Sequence, residues 1–142
     1  MQKRLVFSLV LAVLLLGIVA IQAQAPTPAG AKRTVLIQDN LAPTPGPMTG
    51  YVIEGELPAG AETGWHTHPG NDFTYVRSGE LTLEVEGKAT HTYKGGTAFH
   101  NEPGVKHNGR NLSKTEPVKF LAVWVLEQGK PPTSPAPAPA KK

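Results

Sequence analysis

With 142 residues, no cysteine and a formal charge of +3, the chain has room for one domain and excludes disulfide and thiol chemistry. Two of the positive charges, Lys3 and Arg4, precede an apolar run, and losing both would lower the balance by two, to +1. So small an excess argues against a nucleic-acid partner, and without disulfides stability has to come chiefly from a packed core.

The chain opens with a basic start, the 17-residue apolar run Leu5–Ile21 and the small residues Ala23 and Ala25. Residues 1–25 therefore have the layout of a secretory signal peptide, cleaved after Ala25 or Ala23. The same run lies near the lower length limit for crossing a bilayer, so an uncleaved anchor is the alternative. Both readings place the protein outside the cytoplasm, periplasmic or secreted, with membrane contact only through this segment. Residues 26–31 read as a linker and residues 32–129 as the folded unit. Residues 130–142 alternate proline and alanine, which predicts a disordered, polyproline-like tail that joins no sheet.

Inside 32–129 the pattern is strand, turn, strand. Thr34–Gln38 is a short β-rich run. Tyr51–Leu57 alternates, with Tyr51, Ile53 and Leu57 on one face and the acids on the other. Asp72–Arg77 and Leu81–Val85 flank Ser78-Gly79, a two-residue hairpin signal. Glu86-Gly87 closes another hairpin into Lys88–Tyr93, and Gly95-Gly96 a third into Thr97–Asn101. Val118–Leu126 is apolar on both faces, which predicts a strand buried on both sides. With no helical period anywhere in the unit, the class is an all-β barrel or sandwich.

The residues that bear chemistry are His66, His68, Asp72 and His107. In a strand, residues i and i+2 share a face, so His66 and His68 present their rings together. Three imidazoles and a carboxylate suit a divalent transition metal (Mn, Fe, Ni, Co or Zn), the carboxylate favouring the harder ions. The competing reading is a hydrogen-bonded polar core. His91, among alternating polar residues, reads as solvated. His100 reads as structural, with an acid–base role as the alternative. Trp65, Phe73, Tyr75, Phe99, Phe120 and Trp124 are core candidates, one or two of which line an apolar pocket beside the metal. No Ser/His/Asp arrangement is present.

The spacings Gly60-x5-His66-x-His68-x3-Asp72-x6-Gly79 and Gly96-x5-Glu102-x-Gly104-x2-His107-x3-Asn111 resemble the two motifs of the cupin superfamily. The 16 residues between Gly79 and Gly96 are similar to the short spacing of small single-domain bacterial cupins. The resemblance implies a small jelly-roll-type β-barrel, with His66, His68, Asp72 and His107 as metal ligands at its mouth. It also implies a homodimer paired through outer strands. Two positions depart from the motifs: Asp72 stands where glutamate is usual, and Glu102 where proline is usual. The expected function is an exported, metal-dependent oxidoreductase resembling quercetin dioxygenases, acting on a small oxygenated molecule, with Asp72 or Glu102 as base. The alternative is a non-catalytic module that binds a small ligand or metal.

Overall fold

The computed structural model describes residues 32–41 and 45–140. The signal-like segment 1–25 and the linker 26–31 lie outside the described residues. From Thr34 onward the chain forms its own unit, built of nine strands. They are β1 (Met48–Leu57), β2 (His66–Thr67), β3 (Gly70–Ser78), β4 (Glu80–Val85), β5 (His91–Lys94), β6 (Ala98–Asn101), β7 (His107–Arg110), β8 (Val118–Glu127) and β9 (Ser134–Pro135). A four-stranded sheet runs β1-β8-β3-β6 and a five-stranded sheet β5-β4-β7-β2-β9. All pairings are antiparallel.

Alternation decides which side chains fill the space between the sheets. Leu57 of β1, Val76 of β3, Leu81 and Leu83 of β4, Phe99 of β6 and Val118 of β8 form the buried cluster, with Tyr93 and Phe120 packed against it. Fully burying each such side chain is worth about 1.5–3 kcal/mol, so this cluster is the main favourable term holding the sheets together. Tyr51 and Ile53 share the inner face of β1 with Leu57, while Glu54 and Glu56 are exposed, as the alternation predicts. Gly55 belongs to the inner face too. A Cβ there would lie 2.3 Å from the Phe120 ring, so the absent side chain is what lets Phe120 cross β1.

Four expectations are corrected. Val118, Ala122 and Leu126 of β8 are buried, but Lys119 is exposed and Val123 is 39% exposed, so β8 has one buried face rather than two. Thr34–Gln38 forms no strand. Ser78-Gly79 and Gly95-Gly96 are not hairpin turns. β3 belongs to the four-stranded sheet and β4 and β5 to the other, so both pairs turn corners between sheets. Gly79 makes its corner at φ +80°, where an added Cβ would also meet the Pro117 carbonyl at 2.7 Å. The Glu86-Gly87 reading holds: Lys88 N–H donates to the Val85 carbonyl, and β4 pairs with β5. Finally, the Pro/Ala-rich segment does join a sheet. Ser134–Pro135 forms β9 on the edge of β2, a place where proline is tolerated because one side of the strand faces no partner.

Candidate metal centre

The short strand β2 puts His66 directly opposite His107 of β7, with ring centroids 4.3 Å apart. His68 lies one residue past the end of β2, its ring 4.9 Å from that of His66 and 5.2 Å from that of His107. One nitrogen from each ring falls within 4.8 Å of the other two. His68 and His107 are buried, each 3% exposed, and His66 is half-buried.

The hydrogen bonds behind these rings decide what they present in front. Nδ1 of His66 meets the Gly64 carbonyl at 2.7 Å, Nδ1 of His68 the Pro132 carbonyl at 2.7 Å, and Nδ1 of His107 the Val105 carbonyl at 2.9 Å. A carbonyl oxygen can only accept, so each Nδ1 carries the hydrogen and donates it. In the neutral ring the lone pair is then on Nε2, three times over. Backbone carbonyls behind metal-ligating histidines work in this way, fixing tautomer and ring orientation. Burial lowers the pKa of His68, opposed by its bond to Pro132 and by the charge of Asp72. Burial likewise lowers His107, to about 4, against the Val105 bond and with a further push from His66 and His68. Both rings are therefore neutral at neutral pH, with lone pairs free for a cation. The donor chemistry fits a divalent transition metal.

Asp72 occupies the same cavity but does not join the histidine group. Its neighbours across the sheet are Trp124 of β8 and Asn101 of β6, and both donate to it. Trp124 Nε1 donates to Oδ1 at 2.8 Å and Asn101 Nδ2 to Oδ2 at 2.8 Å, while Thr74 Oγ1 donates to Oδ1 at 2.8 Å. The expectation of Asp72 as a fourth ligand is thus not met: the three histidines converge, and the carboxylate, one methylene shorter than glutamate, is held by three donors. Its charge still reaches the site, opposing the lowering of both His68 and His107.

Glu102 is exposed and does not line the cavity, so the geometry does not place a base there. His100 faces away from the barrel, stacked on Phe73 at 4.3 Å, with its nitrogens against Asp39 and Asn71. That is the structural role expected of it. His91 is exposed, as expected. Asn111, the last motif residue, is buried with Nδ2 2.8–3.0 Å from the carbonyls of Leu57, Pro58 and Glu116.

The centre opens onto a small cavity of about 80 Å³. Leu81, Leu83, Phe99, Phe120 and Ala122 give it an apolar wall, and Thr63 and Thr74 add hydroxyls. Among the described residues, no Lys, Arg or Glu lines it. Sequence reasoning missed Thr74, Asn101 and Pro132; it expected one or two of six aromatic residues in the wall, and Phe99, Phe120 and Trp124 line it. Only Thr74 carried a signal, two residues from Asp72 on one strand face. The others reach the site through pairings that no local pattern encodes.

Two antiparallel sheets closed face to face, with a histidine cluster at one end of the space between them, define the double-stranded β-helix class. The cupin-domain family model matches residues 53–124, just over half of the 142, and the chain belongs to the cupin family. A conserved protein with a double-stranded β-helix domain from Klebsiella pneumoniae is similar at 22% identity and a TM-score of 0.55, over 69% of this chain and 91% of that one. The polyketide cyclase RemF of Streptomyces resistomycificus is similar at 22% identity and a TM-score of 0.54, over 63% and 62% of the two chains. The DMSP lyase DddQ of Ruegeria pomeroyi is similar at 22% identity and a TM-score of 0.51, over 62% of this chain but only 42% of the lyase. At these identities the likeness is one of fold. No curated protein matches the chain.

Proposed function

We propose that this cupin holds a divalent transition metal on Nε2 of His66, His68 and His107 and uses it to bind a small, oxygenated, largely apolar molecule. The observation that carries the reading is the set of three Nδ1–H···O=C bonds, which leaves Nε2 as the lone-pair nitrogen of three rings that each bring a nitrogen within 4.8 Å of the other two. Bound there, the metal would supply a Lewis acid and template for substrate oxygens. The remaining work falls to the chain. Asp72, fixed by Trp124, Asn101 and Thr74, places a negative charge beside the cation without spending a ligand position. Leu81, Leu83, Phe99 and Phe120 exclude water and select an apolar body, and the lack of a lining Lys or Arg among the described residues disfavours phosphorylated substrates. Within this reading the reaction is the O₂-dependent oxidation of an enediol or phenolic compound.

Metal analysis of the purified protein, followed by titration with Mn, Fe, Co, Ni and Zn, tests the centre. We expect about one equivalent per chain and loss of at least 100-fold in affinity in His107→Ala. A native protein with no affinity for any of the five would remove the reading. A specific observation also favours a second one: among the described residues the cavity offers no unengaged acid or base, since Asp72 is occupied and Glu102 is exposed. A non-catalytic binding module needs neither. Oxygen uptake and product analysis with flavonols and catechols separate the two, stoichiometric ligand without product pointing to the module.

The layout of residues 1–25 supports export, which the mass of the protein recovered outside the cytoplasm checks. Val52 and Val123, neighbours across β1 and β8 and exposed at 74% and 39%, support pairing of two copies through that outer face. The molar mass in solution decides this, a monomer at high concentration ruling the pairing out.

A further inference from the structure

His66 and His107 take their Nδ1 partners from two residues earlier in the chain, whereas His68 takes its partner from 64 residues later, in the Pro/Ala-rich segment. The strand that carries His66 and leads to His68 is itself weakly held. β2 has two residues, and on the β7 side only His66 is paired. On its other side β9 pairs Pro135 with His66 and Ser134 with Thr67, and Ala136 N–H donates to the Trp65 carbonyl at 2.9 Å. One run of chain therefore both closes the edge of β2 and orients the His68 ring.

We propose that residues 131–136 are a positioning element of the metal centre: the Pro132 carbonyl holds His68 in the tautomer that presents Nε2, and β9 fixes the strand before it. This rests on the metal-ligand reading above. The prolines suit the task. Their φ angles are locked, so the segment loses little conformational entropy on docking, and they bring no N–H to compete for the acceptor. The segment leaves β8 through a turn in which Lys130 N–H reaches the Glu127 carbonyl and the Lys130 ammonium pairs with the Glu127 carboxylate at 2.6 Å. Partners behind a ligating histidine typically change metal affinity by about 10–100-fold when removed.

The test compares the full chain with deletion of residues 131–142, deletion of residues 137–142, Pro132→Ala and Ala136→Pro. Imidazole ¹⁵N NMR of the metal-free proteins at pH 8 reports the His68 tautomer, and competition with a zinc chelator reports affinity. We expect deletion of 137–142, which keeps the carbonyl and β9, to stay within twofold of the full chain, and Pro132→Ala, which keeps the carbonyl but frees one φ, to lose less than deletion of 131–142. Deletion of 131–142 should leave a mixed His68 tautomer and bind zinc at least tenfold more weakly. Ala136→Pro, which removes one clamp bond and leaves the barrel intact, should weaken zinc at least threefold. Unchanged tautomer and affinity in the 131–142 deletion, or in Ala136→Pro should that deletion not fold, would overturn the proposal. So would a loss in Pro132→Ala as large as in the deletion. A full chain that binds no zinc fails the ligand reading instead, while the tautomer comparison in metal-free protein still decides this one.

Discussion

The cost of keeping the histidines ready for a cation falls on the metal-free protein in acid. An unfolded histidine titrates near 6.5, whereas burial holds His107 at about 4 and lowers His68 in the same direction. Between those values the unfolded chain binds more protons than the folded one, so stability rises with pH across that window. It is complete above about 6.5 and drains away toward 4. Each group contributes a slope of up to about 1.4 kcal/mol per pH unit. The urea midpoint of the metal-free protein is therefore expected to be level above pH 7 and to fall steadily from 6.5 to 4, and His107→Gln should be visibly flatter over the same range. A midpoint indifferent to pH between 7 and 5 would contradict this. The His66–His68 pair was legible in the sequence because a strand has a period of two. Its tautomers were not, because they depend on carbonyls at Gly64, Val105 and Pro132 whose direction no residue type dictates.

At the level of strands, what was legible is what alternation encodes. Tyr51–Leu57 has the inner face its pattern predicts, and β3, β4 and β8 fall close to their expected bounds. The failures share a cause: a turn signal is local, whereas the sheet that receives the next strand is decided by the whole. Ser78-Gly79 turns as its residues demand but delivers β4 to the opposite sheet. Proline content likewise excludes a central strand, not an edge one, which is how β9 escaped notice. Gly55 shows the converse, a close approach that constrains one residue sharply. In Gly55→Ala the new methyl would overlap the Phe120 ring, 2.3 Å away, and push it toward the cavity it lines. Overpacking of this kind typically costs about 1–3 kcal/mol. Thermal unfolding should register that loss, and Gly55→Ala combined with Phe120→Leu should recover part of it. Unchanged stability in the single variant would mean that β1 and β8 are more loosely packed than their register implies.

Across the whole barrel the two sheets divide the site. The five-stranded sheet carries His66 and His107, and the four-stranded sheet supplies Asp72 with its holders Trp124, Asn101 and Thr74. The motif spacing made the barrel and its histidines legible together, yet not the separation of Asp72 from them, because that follows from donors on β6 and β8 that meet it only after the strands of its own sheet pair. A cation seated among the histidines binds the folded state alone, since His107 and the His66–His68 segment come from distant stretches of chain. Mass action then requires it to stabilise the fold, by about 2.7 kcal/mol at a free concentration 100 times Kd. For a domain of this size each kcal/mol moves Tm by roughly 4–8 °C, so saturating metal should raise Tm by roughly 10–20 °C and a chelator should reverse it. His107→Ala should unfold cooperatively at a temperature that neither metal nor chelator moves. Identical melting of the native protein with metal and with chelator would show that nothing is bound where the three lone pairs meet, and the convergence of those rings would then be no more than packing.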